Sequence, residues 1–214
     1  MSAPTIELSP TAVALLKEAA EWRLISLFFE CPGPDWASQV AALAGQVTDE
    51  RLQAAAAVCA EASPGLYHST FGPGGPAAVR EVSYHQDLLP GALLSELRGY
   101  YDAFAYRPAA CEPPDHLAIE AGFVAFLRMK EAYADMEGDA GGREICAEAS
   151  RSFIADHLNA TAHSLADALA RSGVEYLTLA AQALRCRVGE PRPAAVRLPI
   201  VETGEDDPAC APGI

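Results

Sequence analysis

Residues 111–127 read CEPPDHLAIEAGFVAFL. A pair of prolines leads through Asp115 and His116 into an apolar run with helical spacing. Proline presets the backbone for a first helical turn, and an acidic side chain at that end is favoured by the free amides and the helix dipole. We therefore predict a long helix that begins near Asp115, continues to about Met136 and is ended by Gly138.

The sequence on either side of this stretch also predicts helices. Ser9 and Pro10 form a strong helix start, a capping hydroxyl followed by proline at the first helical position. Ser63, Pro64 and Gly65 are interpreted as the end of another helix. We expect further helices at about residues 35–44, 48–62, 90–106, 143–158, 161–172 and 174–187.

No convincing strand is found, and glycine and proline cluster in a predicted loop at residues 72–76. The chain is therefore predicted to be all-α, a single bundle of roughly seven to nine helices over residues 1–188. Residues 189–214 contain five prolines and no periodicity. We expect them to form a mobile or loosely docked tail.

Charge and cysteine usage exclude several classes of function. The net charge of -14 argues against binding nucleic acid or an anionic membrane surface. The chain opens without the pattern of a signal peptide and has no long apolar segment, so we expect a cytoplasmic protein without membrane insertion. The six cysteines are scattered, without a CxxC pair, which indicates neither a disulfide framework nor a zinc site.

The polar pair at the start of the long helix has several interpretations. Adjacent helical positions point about 100° apart, so Asp115 and His116 are not expected to bond to each other. Asp115 suits a capping role. His116 and Glu120 are four apart and share a face, where they could hold a partner's polar group or pair together. A metal site would need further ligands, and the spacing does not select His68 or His85.

Three segments resemble the TorD/DmsD/NarJ family, and they follow one another along the chain in the same order as in that family. CEPPDHLAIE at 111–120 resembles the family signature E-P-x-D-H followed by an acidic helix. LLPGALLSELRGYYDAFAYRPA at 88–109 is similar to the helix and loop before that signature, and LYHSTFGPGG at 66–75 to an earlier aromatic-glycine segment. Ala105 departs from the pattern, because many relatives carry glycine there. Gly122 also departs, and either allows a close approach to the helix or is simply tolerated.

The resemblance implies an all-helical maturation chaperone of molybdenum-containing enzymes, without catalytic residues, metal or cofactor of its own. Such chaperones bind the leader peptide, often twin-arginine, of the client's catalytic subunit. They hold the apoenzyme in the cytoplasm until its molybdenum cofactor is inserted, and so delay export. The expected partners are therefore that subunit and its leader, bound by a monomer or a homodimer. A metal-dependent hydrolase and a helical adaptor without leader specificity remain alternatives.

The resemblance also assigns peptide-binding residues. The motif places them at Pro114, Asp115 and His116, where Asp115 would meet an arginine or orient the leader. His116 would sense protonation or donate a hydrogen bond. Both are expected at the edge of a groove and outside the core. Phe71 and Gly72 fall on the segment that resembles a second wall of this groove.

Three more residues complete the expected peptide-binding set. Tyr101 and Phe104 belong to an aromatic group, 100–106, on the preceding helix, and tyrosine offers an apolar body with a polar tip. Glu120 lies one turn after His116. Substituting Asp115 and His116 together by alanine is expected to weaken leader binding and to leave the helical content intact.

Overall fold

A computed structural model describes residues 8–85, 89–108 and 112–191. Within these ranges the chain forms nine α-helices and no strand, which confirms the all-α prediction. The helices are α1 (Pro10–Phe28), α2 (Trp36–Ala44), α3 (Glu50–Ala57), α4 (Pro64–Phe71), α5 (Pro90–Ala103), α6 (Leu117–Glu137), α7 (Ala140–Phe153), α8 (Asn159–Leu169) and α9 (Glu175–Val188). Short 3-10 helices occupy Cys59–Glu61 and Glu81–Tyr84.

Helices α1 and α6 form the centre of the bundle and run antiparallel. Near the end of α1 the Ser26 hydroxyl donates to the Ala118 carbonyl at the start of α6, at 2.8 Å. At the other end the Ser9 hydroxyl donates to Asp135. The core around this pair is built from large buried side chains, among them Leu24, Phe28, Phe123, Leu127, Phe153, Leu165, Tyr176 and Leu184. Each contributes about 1.5–3 kcal/mol by leaving water.

Local capping explains where the two central helices begin and end. Ser9 accepts from the Ala12 amide at 2.9 Å, as its position before Pro10 predicts. Gly138 ends α6 with φ 71°, a left-handed conformation that favours glycine. The N-cap of α6 is His116, whose Nδ1 accepts from the Ala118 amide at 3.2 Å. The capping role predicted for Asp115 is therefore wrong.

Two other boundaries differ from the prediction. Ser63 and Pro64 begin α4, because the Ser63 hydroxyl accepts from the Leu66 amide at 3.2 Å. The predicted break near residue 160 is absent, since neither glycine nor proline occurs between 143 and 172. A π-helical turn, Ile154–Leu158, instead joins α7 and α8 into one continuous rod. Such turns often occur at functional sites.

The predicted tail lies outside the described residues from residue 192 onward. Before that point, the Asn159 amide group donates to the carbonyls of Val188 and Glu190, both at 2.9 Å, which ties the end of α9 to α8. In the part of the chain that the structure describes, no helix has the combination of length and apolar character that crossing a bilayer requires.

Candidate functional site

Asp115 is completely buried, although the sequence places it at the edge of a groove. Its carboxylate accepts from the Arg80 guanidinium, with Nη2 2.7 Å and Nε 3.0 Å from Oδ1. Its carbonyl accepts from the Glu81 amide at 2.8 Å. Asp115 thus joins the 80–84 segment to the start of α6, and the predicted exposed position is wrong.

His116 is also buried, with 2 % of its surface exposed. Burial lowers the pKa of His116 to about 4; Asp115 opposes this shift and Arg80 adds to it. The ring is therefore neutral at physiological pH. Because Nδ1 accepts from Ala118, the proton lies on Nε2 and is donated to the Tyr67 hydroxyl, 2.8 Å away. His116 donates a hydrogen bond, as expected, but inside the protein, and it does not titrate near neutral pH.

Glu120 is fully buried, and neither carboxyl oxygen has a well-formed hydrogen bond within the described residues. Burial raises its pKa well above the ordinary value, and the Glu81 and Asp115 carboxylates raise it further. Its side chain interacts with that of Glu81, but outside normal hydrogen-bonding geometry. Burial and these two carboxylates therefore favour the protonated form of Glu120, which faces Glu81. It does not pair with His116, and it is not exposed to a ligand.

Glu81 is the acceptor around which this region is organised, and no motif or spacing in the sequence indicates it. His157 Nδ1 lies 3.1 Å from its Oε2, and His85 Nε2 lies 3.0 Å from its Oε1. His157 belongs to the π-helical turn, 76 positions further along the chain. We call Arg80, Glu81, Asp115, His116, Glu120 and His157, together with Tyr67, the buried polar centre.

The buried polar centre has no arrangement suited to a metal. Among residues 8–85, 89–108 and 112–191, no three histidine, cysteine, aspartate or glutamate side chains are grouped so that they could hold an ion. Both nitrogens of His116 are already engaged with Tyr67 and Ala118. The site required by the metal-dependent hydrolase alternative, with ligands converging on His116 and Glu120, is not formed by these residues.

Tyr101, Pro114 and Phe104 also have internal partners. Tyr101 is buried, and its hydroxyl donates to the Pro114 carbonyl at 2.8 Å, which fixes the segment before the motif. Phe104 is half-buried beneath Lys130, whose Nζ lies 5.9 Å from the ring centroid and donates to the Phe104 carbonyl at 3.0 Å. These two aromatic side chains contribute to packing.

Phe71 and Gly72 lie elsewhere, at the end of α4. The Phe71 ring is half-buried, with its centroid 5.2 Å from that of Tyr67 and 6.2 Å from that of Phe29. A Cβ on Gly72 would lie 2.3 Å from the His68 carbonyl oxygen, so this helix end requires glycine. Both residues line a depression of about 460 Å³ together with Pro73, residues 75–78, Tyr84 and Ala168.

A larger groove, which we call the α1–α6 groove, opens between α1, α2 and α6 and has a volume of about 700 Å³. It shares no lining residue with the depression at Phe71, and no residue of the predicted peptide-binding set lines it. Its apolar lining is Leu16, Ala19, Ala20, Leu43, Ala118, Ile119, Gly122, Ala125, Phe126 and Met129. The groove therefore presents mainly apolar surface, drawn from both central helices.

One end of the groove is polar because Tyr106 folds across α6. Ala105 has φ 56°, the left-handed conformation in which glycine is favoured, and this turn directs Tyr106 onto the helix. A Cβ on Gly122 would lie 2.6 Å from the Tyr106 hydroxyl and 3.3 Å from the Ser26 hydroxyl. Gly122 thus allows a close approach, which is the first of its two predicted interpretations.

The other end of the groove continues as exposed apolar side chains. Leu16 and Met129 line the groove and are 37 % and 49 % exposed. Val13 lies one turn before Leu16 on α1, and Tyr133 and Met136 follow Met129 at helical spacing on α6. All three are exposed, Tyr133 by 64 %. Contiguous apolar surface of this kind is typical of an interaction site.

Comparison with known proteins identifies the family. The sequence profile of the nitrate reductase delta subunit family matches residues 34–167, more than half of the chain. No curated protein matches the chain. The matched stretch contains α2 to α7 and most of α8, whereas α1, one wall of the groove, precedes it. The family consists of chaperones for nitrate reductase maturation and belongs to the TorD/DmsD/NarJ group that the E-P-x-D-H motif resembles. The chain is a member of the nitrate reductase delta subunit family.

Proposed function

We propose that this protein is a cytoplasmic chaperone that binds the leader peptide of a molybdenum enzyme's catalytic subunit in the α1–α6 groove. Family membership supports the chaperone role. We choose this surface as the binding site because the groove is about 700 Å³ in volume and is lined mainly by apolar side chains. Apolar segments laid along a groove between helices are a recurrent mode of peptide recognition.

The chemistry of a twin-arginine leader fits this surface. Such a leader presents two guanidinium groups followed by an apolar stretch. The apolar stretch would cover Leu16 and Met129, which are now in contact with water. The net charge of -14 would attract the cationic end, mainly by speeding encounter. We expect the apolar contacts to supply most of the affinity, because exposed ion pairs contribute only about 0–1 kcal/mol each.

The buried polar centre supports the groove indirectly. Its motif residues Asp115 and His116 fix the start of α6, and Ala118, Ile119 and Gly122 of the same helix form the groove wall. In this proposal the motif residues do not touch the leader. They hold α6 in place, so that apoenzyme is retained until its molybdenum cofactor has been inserted and export can proceed.

A titration with a fluorescently labelled twin-arginine leader of a molybdenum enzyme's catalytic subunit from the same organism tests the proposal. The wild type should bind it, and Leu16→Glu combined with Met129→Glu should weaken binding by about 3 kcal/mol, roughly a hundredfold. The matched control is Leu89→Glu combined with Ile145→Glu, which adds the same two charges at apolar positions that are 74 % and 61 % exposed and do not line the groove. Equal losses in the control and the groove variant, or no binding by the wild type, would contradict the proposal.

A further inference from the structure

The polar end of the groove holds an ion pair whose position suggests a specific task. Arg23 and Glu30, both lining the groove, are paired through Nη1 and Oε1. The same Nη1 donates to the Ser26 hydroxyl at 2.7 Å, and Ser26 also lies 3.2 Å from the Glu30 carboxylate. Of the described residues that line the groove, Glu30 alone carries a carboxylate.

Four polar groups meet at this point. The hydroxyls of Ser26 and Tyr106 both lie over Gly122, within 3.3 Å and 2.6 Å of where a Cβ would be. Burial raises the pKa of Tyr106 to about 12, while Arg23 opposes the shift and Glu30 adds to it, so both charges lie near that hydroxyl. Together Glu30, Ser26 and Tyr106 offer oxygen acceptors around the Arg23 guanidinium. The pocket is thus already shaped for a guanidinium, and Arg23 fills it.

The resident pair is suited to exchange. The side chains of Arg23 and Glu30 are 38 % and 22 % exposed, and ion pairs with this much contact with water contribute little to stability. When Glu30 changes partner, Arg23 keeps its bond to Ser26. Arg107, the other cation among the described residues of the lining, is paired with Asp102 at 2.9 Å. An arriving guanidinium therefore competes with Arg23 for the Glu30 carboxylate.

We infer that Glu30 recognises an arginine of the bound leader by releasing Arg23, which stands in for the leader's guanidinium while the groove is empty. This inference rests on the proposed function and names the residue that gives the groove its preference for an arginine-bearing leader. The carboxylate expected for this task from the sequence was Asp115, but Arg80 already occupies Asp115 inside the protein. Glu30 differs from Asp115 because its partner, Arg23, lines the open groove.

A double-mutant cycle between protein and peptide tests the inference. Two leader peptides are compared, one with its arginines and one with glutamine in their place. The wild type should bind the arginine peptide about tenfold more tightly, since charge-assisted bonds to carboxylate are the stronger kind. Glu30→Gln should remove that difference and leave binding of the glutamine peptide unchanged. Glu144→Gln on α7, another carboxylate paired with an arginine, is the matched control and should keep the wild-type preference.

A second variant separates recognition from mere structural support. Arg23→Gln removes the competing guanidinium and should strengthen binding of the arginine peptide severalfold, which loss of a structural contact would not do. The inference is overturned if Glu30→Gln keeps the tenfold preference, if it weakens both peptides equally, or if Arg23→Gln weakens the arginine peptide. Failure of the wild type to bind either peptide would overturn the proposed function as well. Far-UV circular dichroism of each variant checks that it is folded.

Discussion

The buried polar centre and the mainly apolar α1–α6 groove are two regions on the same central helix, and they use their side chains in opposite ways. In the centre, Asp115 and His116 have internal partners and no contact with water. In the groove, the apolar side chains of Leu16 and Met129 are exposed to water. The residues with the strongest motif signal therefore serve the architecture, whereas the open surface is built from residues without a recognisable pattern.

The two regions are connected through the orientation of α6. The Leu117 amide donates to the Val79 carbonyl at 2.9 Å, and the Glu81 amide donates to Asp115, so the 79–81 segment is fixed against the start of the helix. Glu120 points into this interior, while Ile119 and Gly122 face the groove. A change in the centre is therefore expected to alter stability first, and leader binding only through the position of the groove wall.

The largest effect is expected for Asp115→Ala. Loss of the buried carboxylate removes the acceptor for the Arg80 guanidinium, whose side chain is 41 % exposed, and for the Val82 amide, which should lower the free energy of unfolding by about 3 kcal/mol. Urea unfolding followed by circular dichroism measures this loss. Leader affinity, measured where the variant is still folded, should fall far less than in the Leu16→Glu, Met129→Glu variant. A stable Asp115→Ala protein that no longer binds leader would reverse the roles assigned to the two regions.

Glu120→Gln should instead raise the stability at neutral pH, because glutamine has no charge to bury at this site. The raised pKa of folded Glu120 means that the unfolded chain loses this proton first, so the wild type loses stability as pH rises from about 4.3 toward the folded pKa. A glutamine side chain does not ionise, so the variant lacks this loss of stability. The difference between variant and wild type should therefore grow by up to about 1.4 kcal/mol per pH unit.

Unfolding free energies of both proteins across this pH range measure the effect. Glu144→Gln, at a position whose side chain is 73 % exposed, should show no comparable trend. A Glu120→Gln variant that runs parallel to the wild type at every pH would show that Glu120 is ionised in the folded protein.

His116→Asn tests the buried polar centre through the change of stability at low pH. Asparagine can still cap α6, but the bond to Tyr67 is lost, which should reduce stability at pH 7 by about 1 kcal/mol. The wild type loses stability as pH falls from about 6.5 toward the folded pKa of about 4, because only unfolded His116 takes up a proton there. The difference in stability between the two proteins should close and then reverse on acidification, because a shift of this size costs the wild type more than about 1 kcal/mol. Thermal unfolding curves of both proteins across this pH range measure the difference in stability. A difference that stays constant would contradict a buried, neutral His116.

The smallest effect is expected on the groove side, for Ala105→Gly. Glycine adopts φ 56° without the strain that alanine incurs, and this gain outweighs its greater freedom in the unfolded chain. The free energy of unfolding should rise by about 0.5 kcal/mol. Leader affinity should stay the same, because the turn still places Tyr106 over Gly122. Destabilisation in urea would mean that the turn at residue 105 is not strained.

Features fixed by neighbouring residues could be predicted from the sequence. Ser9 with Pro10 and Gly138 mark the ends of α1 and α6 because capping depends on local backbone groups. Ser63 and Pro64 misled the prediction, since the same residues end one helix and begin another. The π-helical turn was missed because a shift of hydrogen-bond register has no residue signature here.

The site was harder to predict because burial depends on distant partners. Arg80 precedes Asp115 by 35 positions, and Glu81 precedes His157 by 76, so no spacing rule connects them. The family motif correctly indicated the class of protein, yet it pointed to side chains that lie inside. Glu30 went unnoticed because a single glutamate at a helix end usually lies in solvent.

Photo-crosslinking is the most direct test of whether the leader occupies the α1–α6 groove. A leader peptide with a photoreactive phenylalanine analogue in its apolar stretch is bound, irradiated and mapped by mass spectrometry. If the leader lies in the groove, crosslinks are expected to Leu16, Phe126 and Met129 on the two central helices. Crosslinks concentrated at Phe71, Gly72 or residues 112–116, with none on α1 or α6, would contradict this placement of the leader.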